Sequence, residues 1–274
     1  MTLTTVQPFL VDSLVALFDD DLPPPRLGDP LPPYWHLAAC AAPMPSRQLG
    51  SDGHPTAGIL TPPPDLPRRM FAGGRLTISH HLRVGEAVEQ LDRITGTTDK
   101  TGRSGRLRFV TVESEFRRAD GVTAMVEQRD IVYREATSRT SVVNPREPSP
   151  TSRLICFDSE PLRAELQADP VALQRFSALT SNAHRIHYDH PYATSVEGYP
   201  DLLVHGPLLL LSLLELTRRH CDDRSVSRIS FTAMAPIFVN DSVLLAGVEA
   251  ANGSIELNAI AHNTTAMTAH VEFS

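Results

Sequence analysis

The sequence is poor in the features that would assign it to several large classes of protein. Its only cysteines, Cys40, Cys156 and Cys221, lie far apart and match no pairwise metal-ligand spacing. An odd number of distant cysteines is a poor disulfide framework, so we expect reduced thiols and no metal site. The longest apolar run, 208–214, is interrupted by Ser212. It is far shorter than the roughly 20 residues that cross a bilayer.

Basic charge is also scarce. The 274 residues carry a formal net charge of -7, and no run of Lys and Arg interrupts that balance. Nucleic-acid and anionic-membrane partners are therefore disfavoured. The N-terminus lacks the basic region, apolar stretch and cleavage site of a signal peptide. We therefore expect a cytoplasmic protein that does not associate with membranes.

The first half is predicted to contain short apolar segments, a long loop and a sheet. An apolar segment occupies 11–18, and a short helix begins near residue 34, just after two prolines. Residues 50–67 are rich in Gly and Pro and predict a long loop. Four segments with strand-like patterns follow and predict an antiparallel meander: 75–82, 87–95, 107–116 and 122–133.

The second half has the same order of elements with clearer boundaries. Asp169 precedes Pro170 and predicts a capped helix start. A second helix is predicted from Gly206 to His220, and because it is apolar nearly all round, it must be covered on most sides. Strands are predicted at 226–234, 243–249, 255–261 and 265–273.

Residues 138–152 separate these halves and are rich in Ser, Thr and Pro, as linkers are. We therefore predict an N-terminal domain at 1–140, a linker at 141–152 and a C-terminal domain at 153–274. Each domain should combine an apolar helix with a curled antiparallel sheet.

Chemistry is concentrated in the segment 176–193. Three of the chain's eleven histidines fall within seven positions there, beside Asn182, Arg185 and Asp189. A second signal, Val-His-Gly-Pro at 204–207, opens the apolar helix just downstream. Together these residues predict an active site.

The segment 179–187, Leu-Thr-Ser-Asn-Ala-His-Arg-Ile-His, resembles the motif of MaoC-like hydratases, also called enoyl-CoA hydratase 2. That motif runs apolar, Ser/Thr, Gly, Asp, any residue, Asn, Pro, apolar, His. Asp189 and Ala193 follow at the family's spacing. The resemblance implies an α+β double hotdog fold, in which two tandem antiparallel sheets each wrap around an apolar helix.

Two upstream segments, Pro-Pro-Tyr-Trp-His at 32–36 and Leu-Pro-Arg-Arg-Met-Phe-Ala-Gly-Gly at 66–74, make the chain similar to mesaconyl-CoA and itaconyl-CoA hydratases. The resemblance implies that the N-terminal half is a degenerate hotdog, of the type called a FAS1-like dehydratase domain, which forms the acyl pocket. It also implies an acyl-CoA substrate, no separate cofactor and a citramalyl-CoA product.

Hydration of an enoyl thioester needs a base for water, an acid for the α-carbon and donors for the thioester oxygen. In the motif, His187 is the predicted base, because an imidazole titrates near neutral pH. Asn182 replaces the family's catalytic Asp, and an amide cannot exchange protons as a carboxyl can. Either His187 performs both proton transfers, or His184 or Asp189 supplies the second group.

The backbone N–H of Gly206 is predicted to bind the thioester oxygen at the start of the helix, with His205 fixing the turn. A dicarboxylic acyl group would also need a cation for its free carboxylate. The candidates are Arg185 within the motif and Arg68 or Arg69 in the upstream segment. Gly73 and Gly74, which complete that segment, are the remaining predicted substrate-binding residues.

Most histidines outside the motif are not predicted to be functional. Six histidines are predicted to be solvated or structurally satisfied rather than functional: His54, His80, His81, His220, His262 and His270. The sequence is also compatible with two other functions, that of a 3-hydroxyacyl-ACP or -CoA dehydratase and that of a non-catalytic acyl-CoA-binding subunit. A homodimer is also a candidate assembly.

Overall fold

All strands of the described chain belong to one antiparallel sheet. The computed structural model describes residues 2–19, 21–102, 105–135, 153–221 and 223–274. The strands are β1 (Thr2–Thr5), β2 (Arg68–Ile78), β3 (Ala87–Gly102), β4 (Gly105–Arg118), β5 (Thr123–Arg134), β6 (Ile155–Phe157), β7 (Arg163–Gln167), β8 (Val226–Ala233), β9 (Ser242–Glu249), β10 (Ile255–Ala261) and β11 (Thr264–Phe273). The α-helices are α1 (Pro8–Phe18), α2 (His36–Ala39), α3 (Pro170–Leu179) and α4 (Gly206–His220).

The strand order repeats between the two halves. Across the sheet it is β1-β3-β4-β5-β2-β8-β11-β10-β9-β7-β6. In each half the first long strand returns beside the last, so β2 lies next to β5 and β8 next to β11. The predicted four-strand meander is therefore wrong for β2, although β3, β4 and β5 do follow one another. The α+β double hotdog is confirmed, with its two sheets joined by pairing of β2 with β8.

Two glycines explain how β2 fits between its neighbours. A Cβ on Gly74 would lie 2.4 Å from the carbonyl oxygen of Gln128 in β5. A Cβ on Gly73 would lie 2.5 Å from the carbonyl oxygen of Phe231 in β8. Side chains at these positions would push the strands apart, so both glycines serve the seam between the halves.

Helix α4 is the centre of the C-terminal half. Its residues from Leu208 to Thr217 are all buried, and the helix packs on β7, β9, β10 and β11. Burying a leucine side chain contributes roughly 1.5–3 kcal/mol, so this helix is a principal source of stability. The predicted bounds of α4 are confirmed.

The N-terminal half has only the four-residue helix α2 in the region where a short helix was predicted. Next to it, Tyr34 and Trp35 fill the core. The indole Nε1 of Trp35 donates a hydrogen bond to Oε1 of Glu215 in α4, at 3.1 Å. The two halves are therefore joined through their interiors as well as through the sheet.

The predicted start of α3 is also confirmed, since Asp169 Oδ1 accepts a hydrogen bond from the backbone N–H of Ala172 at 2.7 Å. The short strands β1, β6 and β7 were not predicted. The proposed linker 141–152 lies outside the described residues. Within the described ranges, no helix has the length and apolar character needed to cross a membrane.

Candidate active site

A cavity of about 450 Å³ lies where the two halves meet. The N-terminal half contributes His54, Arg69, Met70, Phe71, Ile131 and Arg134. The C-terminal half contributes the motif, the start of α4 and apolar side chains from the segments around β8 and β11. Apolar walls with a few convergent polar groups are typical of a small-molecule site.

The motif enters this cavity through a sharp bend after α3. The backbone N–H of Asn182 donates to the carbonyl of Ser177 at 2.9 Å, which closes the end of the helix. Ser181 stands where the family motif has Gly, and its φ of 51° lies in the left-handed region that favours glycine. The bend directs His184 and His187 into the cavity.

His187 is held in one orientation. Its Nδ1 lies 2.7 Å from the carbonyl oxygen of Leu203, a geometry in which Nδ1–H donates and Nε2 keeps its lone pair. Burial lowers the pKa of His187 to about 4, against the opposing effect of that carbonyl. The ring is therefore neutral at pH 7 and able to accept a proton.

His205 stacks on the ring of His187. The two imidazoles stack with centroids 3.6 Å apart and planes inclined by 18°. The Nε2 of His205 lies 2.9 Å from Oγ of Ser177, and burial holds the pKa of His205 well below its usual value. A neutral stacked ring restricts the motion of His187.

Gly206 follows His205 directly and begins α4, where it lines the cavity. The first N–H groups of a helix have no acceptor within the helix and bind anionic groups well. A Cβ at Gly206 would lie 2.7 Å from Cδ1 of Phe71, so the narrow space requires glycine. The predicted pair of His187 and Gly206 therefore shares one cavity.

Asn182 and His184 also line the cavity. The side-chain Oδ1 of Asn182 accepts a hydrogen bond from the backbone N–H of His184 at 3.1 Å. Burial, together with the neighbouring His54 and His187, lowers the pKa of His184 to about 2. Asn182 thus shapes the backbone of the motif and contributes an amide to the cavity.

His54 is a cavity residue that sequence reasoning missed. Its ring lies against His184 with centroids 3.9 Å apart. Its Nδ1 lies 3.2 Å from Oδ2 of Asp52, which is a hydrogen-bonding distance. The prediction that His54 is solvated or structurally satisfied fits its hydrogen bond to Asp52 but did not include its place on the cavity wall. The only signal in the sequence was Asp-Gly-His within the long Gly/Pro loop.

The three side chains of Asp52, His54 and His184 also form a potential metal-ligand set, with donor atoms all within 4.8 Å of one another. Both carboxylate oxygens of Asp52 are already engaged by His54, through the ring at 3.2 Å and the backbone N–H at 2.9 Å. Metal coordination needs ring nitrogens to converge on one point. The rings of His54 and His184 are inclined by 41° with centroids 3.9 Å apart, and the Nδ1 of His54 is already directed at Asp52 rather than at a shared point.

Arg185 and Asp189 pair with each other, 2.7 Å apart. The guanidinium also lies over the ring of Tyr192 and donates to the carbonyl of Ser51. Asp189 additionally accepts from the backbone N–H of Tyr192 at 3.1 Å. Neither residue lines the cavity. Their polar groups hold the loop and the motif, and substrate binding by Arg185 and proton transfer by Asp189 stay predictions.

Arg68 and Arg69 have different roles because successive side chains of a strand point to opposite faces. Arg68 is buried beside Glu197, with Nε 3.3 Å from the carboxylate, and does not line the cavity. Arg69 does line the cavity. Gly73 and Gly74 also lie outside it, so the cavity gives no support to substrate binding by Arg68 and these glycines, which stays a prediction.

Among the described residues, Arg69 is one of two cationic side chains that line the cavity. Within the described part of the chain, it has no hydrogen bond or ion pair to an acidic side chain, and burial lowers its pKa. Arg134, which the sequence reasoning missed, lines the cavity as well. The cavity thus combines these two cationic side chains with imidazoles whose pKa values are lowered by burial.

Comparison with known proteins gives a consistent family assignment. Residues 34–239 match the family model described as hydroxyacyl-thioester dehydratase type 2. The mesaconyl-C(4)-CoA hydratase of Chloroflexus aurantiacus is 44% identical over 214 residues, which are 78% of this chain and 73% of that protein. The mitochondrial hydroxyacyl-thioester dehydratase type 2 of Schizosaccharomyces pombe is 40% identical over 85 residues, or 30% of this chain and 28% of that protein.

Solved structures agree on the fold. A MaoC-like dehydratase superimposes with a TM-score of 0.71 at 14% identity, covering 99% of this chain and 96% of that one. A Mycobacterium tuberculosis protein described as having a double hotdog fold gives a TM-score of 0.57 at 11% identity, covering 99% and 93%.

Proposed function

Because the chain belongs to the hydroxyacyl-thioester dehydratase type 2 family, we propose that it reversibly hydrates the double bond of a short, branched enoyl-CoA that carries a free carboxylate. Mesaconyl-CoA and itaconyl-CoA are the proposed substrates, and citramalyl-CoA is the proposed product. The CoA carrier is part of the substrate, and no separate cofactor is invoked.

The first step of the reaction, addition of water to the β-carbon, is assigned to residues of the C-terminal half of the chain. The Nε2 of His187 accepts a proton from water while the water oxygen bonds to the β-carbon. The π electrons move toward the thioester oxygen, where the N–H of Gly206 stabilises the negative charge. Protonation of the α-carbon completes the addition.

Arg69 is the observation that carries the substrate proposal. A half-buried guanidinium that has no hydrogen bond or ion pair to an acidic side chain among the described residues is costly beside apolar walls, and a substrate carboxylate would offset that cost. Arg69 shares the cavity with His187 and Gly206. Its planar fork suits a carboxylate.

The test compares mesaconyl-CoA with crotonyl-CoA, which lacks the free carboxylate, by following loss of the conjugated double bond. We expect Arg69→Ala to lower kcat/KM for mesaconyl-CoA by about 10- to 100-fold, the value of a charge-assisted hydrogen bond. Crotonyl-CoA turnover should not change. Arg75→Ala, on the same strand but half exposed, is the matched control. Equal losses on both substrates would refute the assignment.

A second candidate is dehydration of a 3-hydroxyacyl thioester of fatty acid metabolism, on ACP or CoA. The largely apolar walls of the cavity and the family description favour it. A preference for longer, unbranched substrates that is unaffected by Arg69→Ala would support this alternative. A non-catalytic acyl-CoA-binding role requires that no thioester is turned over.

The same proposal includes a cytoplasmic location and a homodimeric assembly. Both come from the sequence reasoning. Fractionation of cells and light scattering of the purified chain test them directly.

A further inference from the structure

Four imidazoles meet at the cavity, and they differ in one respect. Their rings form a continuous series from His54 through His184 and His187 to His205, with successive centroids 3.9, 5.7 and 3.6 Å apart. Of these four rings, only that of His54 has a carboxylate of a described residue at hydrogen-bonding distance, that of Asp52. A positive charge is therefore best stabilised on His54.

The loop that carries this pair is fixed to the motif. The backbone N–H of Arg185 donates to the carbonyl of Asp52 at 3.0 Å. Gly53, at a φ of +89°, lies so close that a Cβ would overlap the carbonyl oxygen of Ala183. The position of His54 against the motif is thus set by main-chain contacts from the two halves.

We propose that Asp52 and His54 form the second acid/base group of the active site and replace the carboxyl that Asn182 cannot supply. This inference rests on the proposed hydration reaction and adds a residue from the N-terminal half to it. The hydrogen bond from Nδ1–H of His54 to Asp52 leaves Nε2 to exchange protons with the substrate, as in other carboxylate–histidine pairs.

In hydration, the active form carries a proton on each ring nitrogen of His54 and none on Nε2 of His187. His187 removes a proton from water as the oxygen bonds to the β-carbon. The Nε2–H of His54 then gives its proton to the α-carbon of the enolate. One water is added, His187 ends protonated and His54 ends neutral.

The enzyme must then return a proton from His187 to His54. His184 lies between them and offers two ring nitrogens that can accept and release a proton. The same series runs backwards for dehydration. His184 is therefore assigned the relay that restores the active form.

The pair sets a distinct pH dependence. Burial lowers the pKa of His54 below its ordinary value. Among the charged groups that face it, Arg69 also lowers this pKa, whereas Asp52 and Glu197 raise it, and the ring of His184 lies against it. Because one proton is shared by His54 and His187, kcat/KM should be bell-shaped. Its alkaline limb reports His54 and its acid limb reports His187.

The decisive variants are His54→Gln and Asp52→Asn, each assayed for kcat, KM and the pH profile. We expect His54→Gln to lower kcat by about 10²- to 10⁴-fold with little change in KM. Asp52→Asn should move the alkaline limb to lower pH by about one unit, because the imidazolium loses its counter-charge. That shift is not expected from a loop that is merely loosened, and thermal unfolding checks that both variants fold.

A matched control exists on the surface. His262 also pairs with a carboxylate, Asp241, at 2.9 Å, but its side chain is 64% exposed and it lies outside the cavity. His262→Gln should keep wild-type kinetics. Wild-type kcat and pH profile in His54→Gln would overturn the proposal. Loss of wild-type turnover in EDTA, with recovery in Zn²⁺, would also overturn it in favour of a metal site.

Crotonyl-CoA separates this inference from the proposed substrate. If the wild type hydrates crotonyl-CoA but discriminates against mesaconyl-CoA, the substrate proposal falls while the role of His54 is still measured. If it hydrates both and His54→Gln is unimpaired, only the acid/base role falls. If it hydrates neither, both fall.

Discussion

The two halves of the molecule share a strand order and differ in what fills the sheet. The C-terminal sheet surrounds the 15-residue helix α4, whose first residue faces the cavity. The corresponding region of the N-terminal half has the four-residue helix α2 and the long loop that reaches His54. The N-terminal half thus contributes part of the cavity wall, the cation of Arg69 and the imidazole of His54 to the site of the C-terminal half. A repeated fold can therefore divide the work of one reaction.

The substitution His187→Gln is expected to have the largest effect on this division of roles between the two halves. If the C-terminal half holds the base, kcat should fall by about 10³-fold or more, within the range of general base catalysis and at its upper end. Turnover of mesaconyl-CoA and crotonyl-CoA measures the effect. His80→Gln, an exposed histidine of the N-terminal half, should behave as wild type. Turnover within tenfold of wild type would remove His187 from the mechanism.

The same side chain predicts a pH effect on stability. The folded pKa of His187, about 4, is below its unfolded value near 6.5. The stability gained by keeping this ring neutral is complete above pH 6.5 and is lost as pH falls toward 4. The loss should be on the order of 3 kcal/mol. Urea unfolding should therefore show a steeper loss in wild type than in His187→Gln, and parallel curves would contradict this.

The seam can be tested with glycines on strands of the N-terminal half. Gly74→Ala places a Cβ 2.4 Å from a backbone oxygen and should lower the free energy of unfolding by about 1–3 kcal/mol. Gly96→Ala meets nothing closer than 3.7 Å and should change it little. Chemical denaturation measures both. A smaller loss in Gly74→Ala than in Gly96→Ala would show that the seam tolerates expansion.

Helix caps give the smallest contrast between the halves. Asp169→Ala removes the side-chain acceptor of α3 and should cost about 1 kcal/mol. Gln7, at the equivalent position of α1, makes no side-chain cap, so Gln7→Ala should be close to neutral. Denaturant midpoints measure the pair. Equal effects would mean that the cap of Asp169 contributes nothing specific.

Local rules predicted most of the elements that carry strong signals. The Gly-Pro start and cationic end fixed α4, and Asp169 fixed the start of α3. The predicted start of β2, at residue 75, lies seven residues after the observed start at Arg68, because two consecutive arginines do not show the alternation of a strand. Strands of three to five residues, such as β6 and β7, carry too few residues to show a period.

The site was predictable mainly where its residues are close in the sequence. His187, Asn182 and Gly206 lie within one motif region, and they do share the cavity. His54 lies 130 positions before His184, and only the tertiary fold brings their rings together. The choice between Arg68 and Arg69 needed the strand start, since one residue of register decides which side chain faces the cavity.

The ladder between β2 and β8 has a consequence for how the protein can change over evolution. When two identical subunits assemble about a twofold axis, every substitution is made twice, once in each copy. Here the hydrogen bonds at the seam join two segments of one chain, so each position can vary alone. The N-terminal half could therefore shorten its helix and lengthen a loop while the C-terminal half kept its catalytic sequence. Two identical subunits could not diverge from each other in this way.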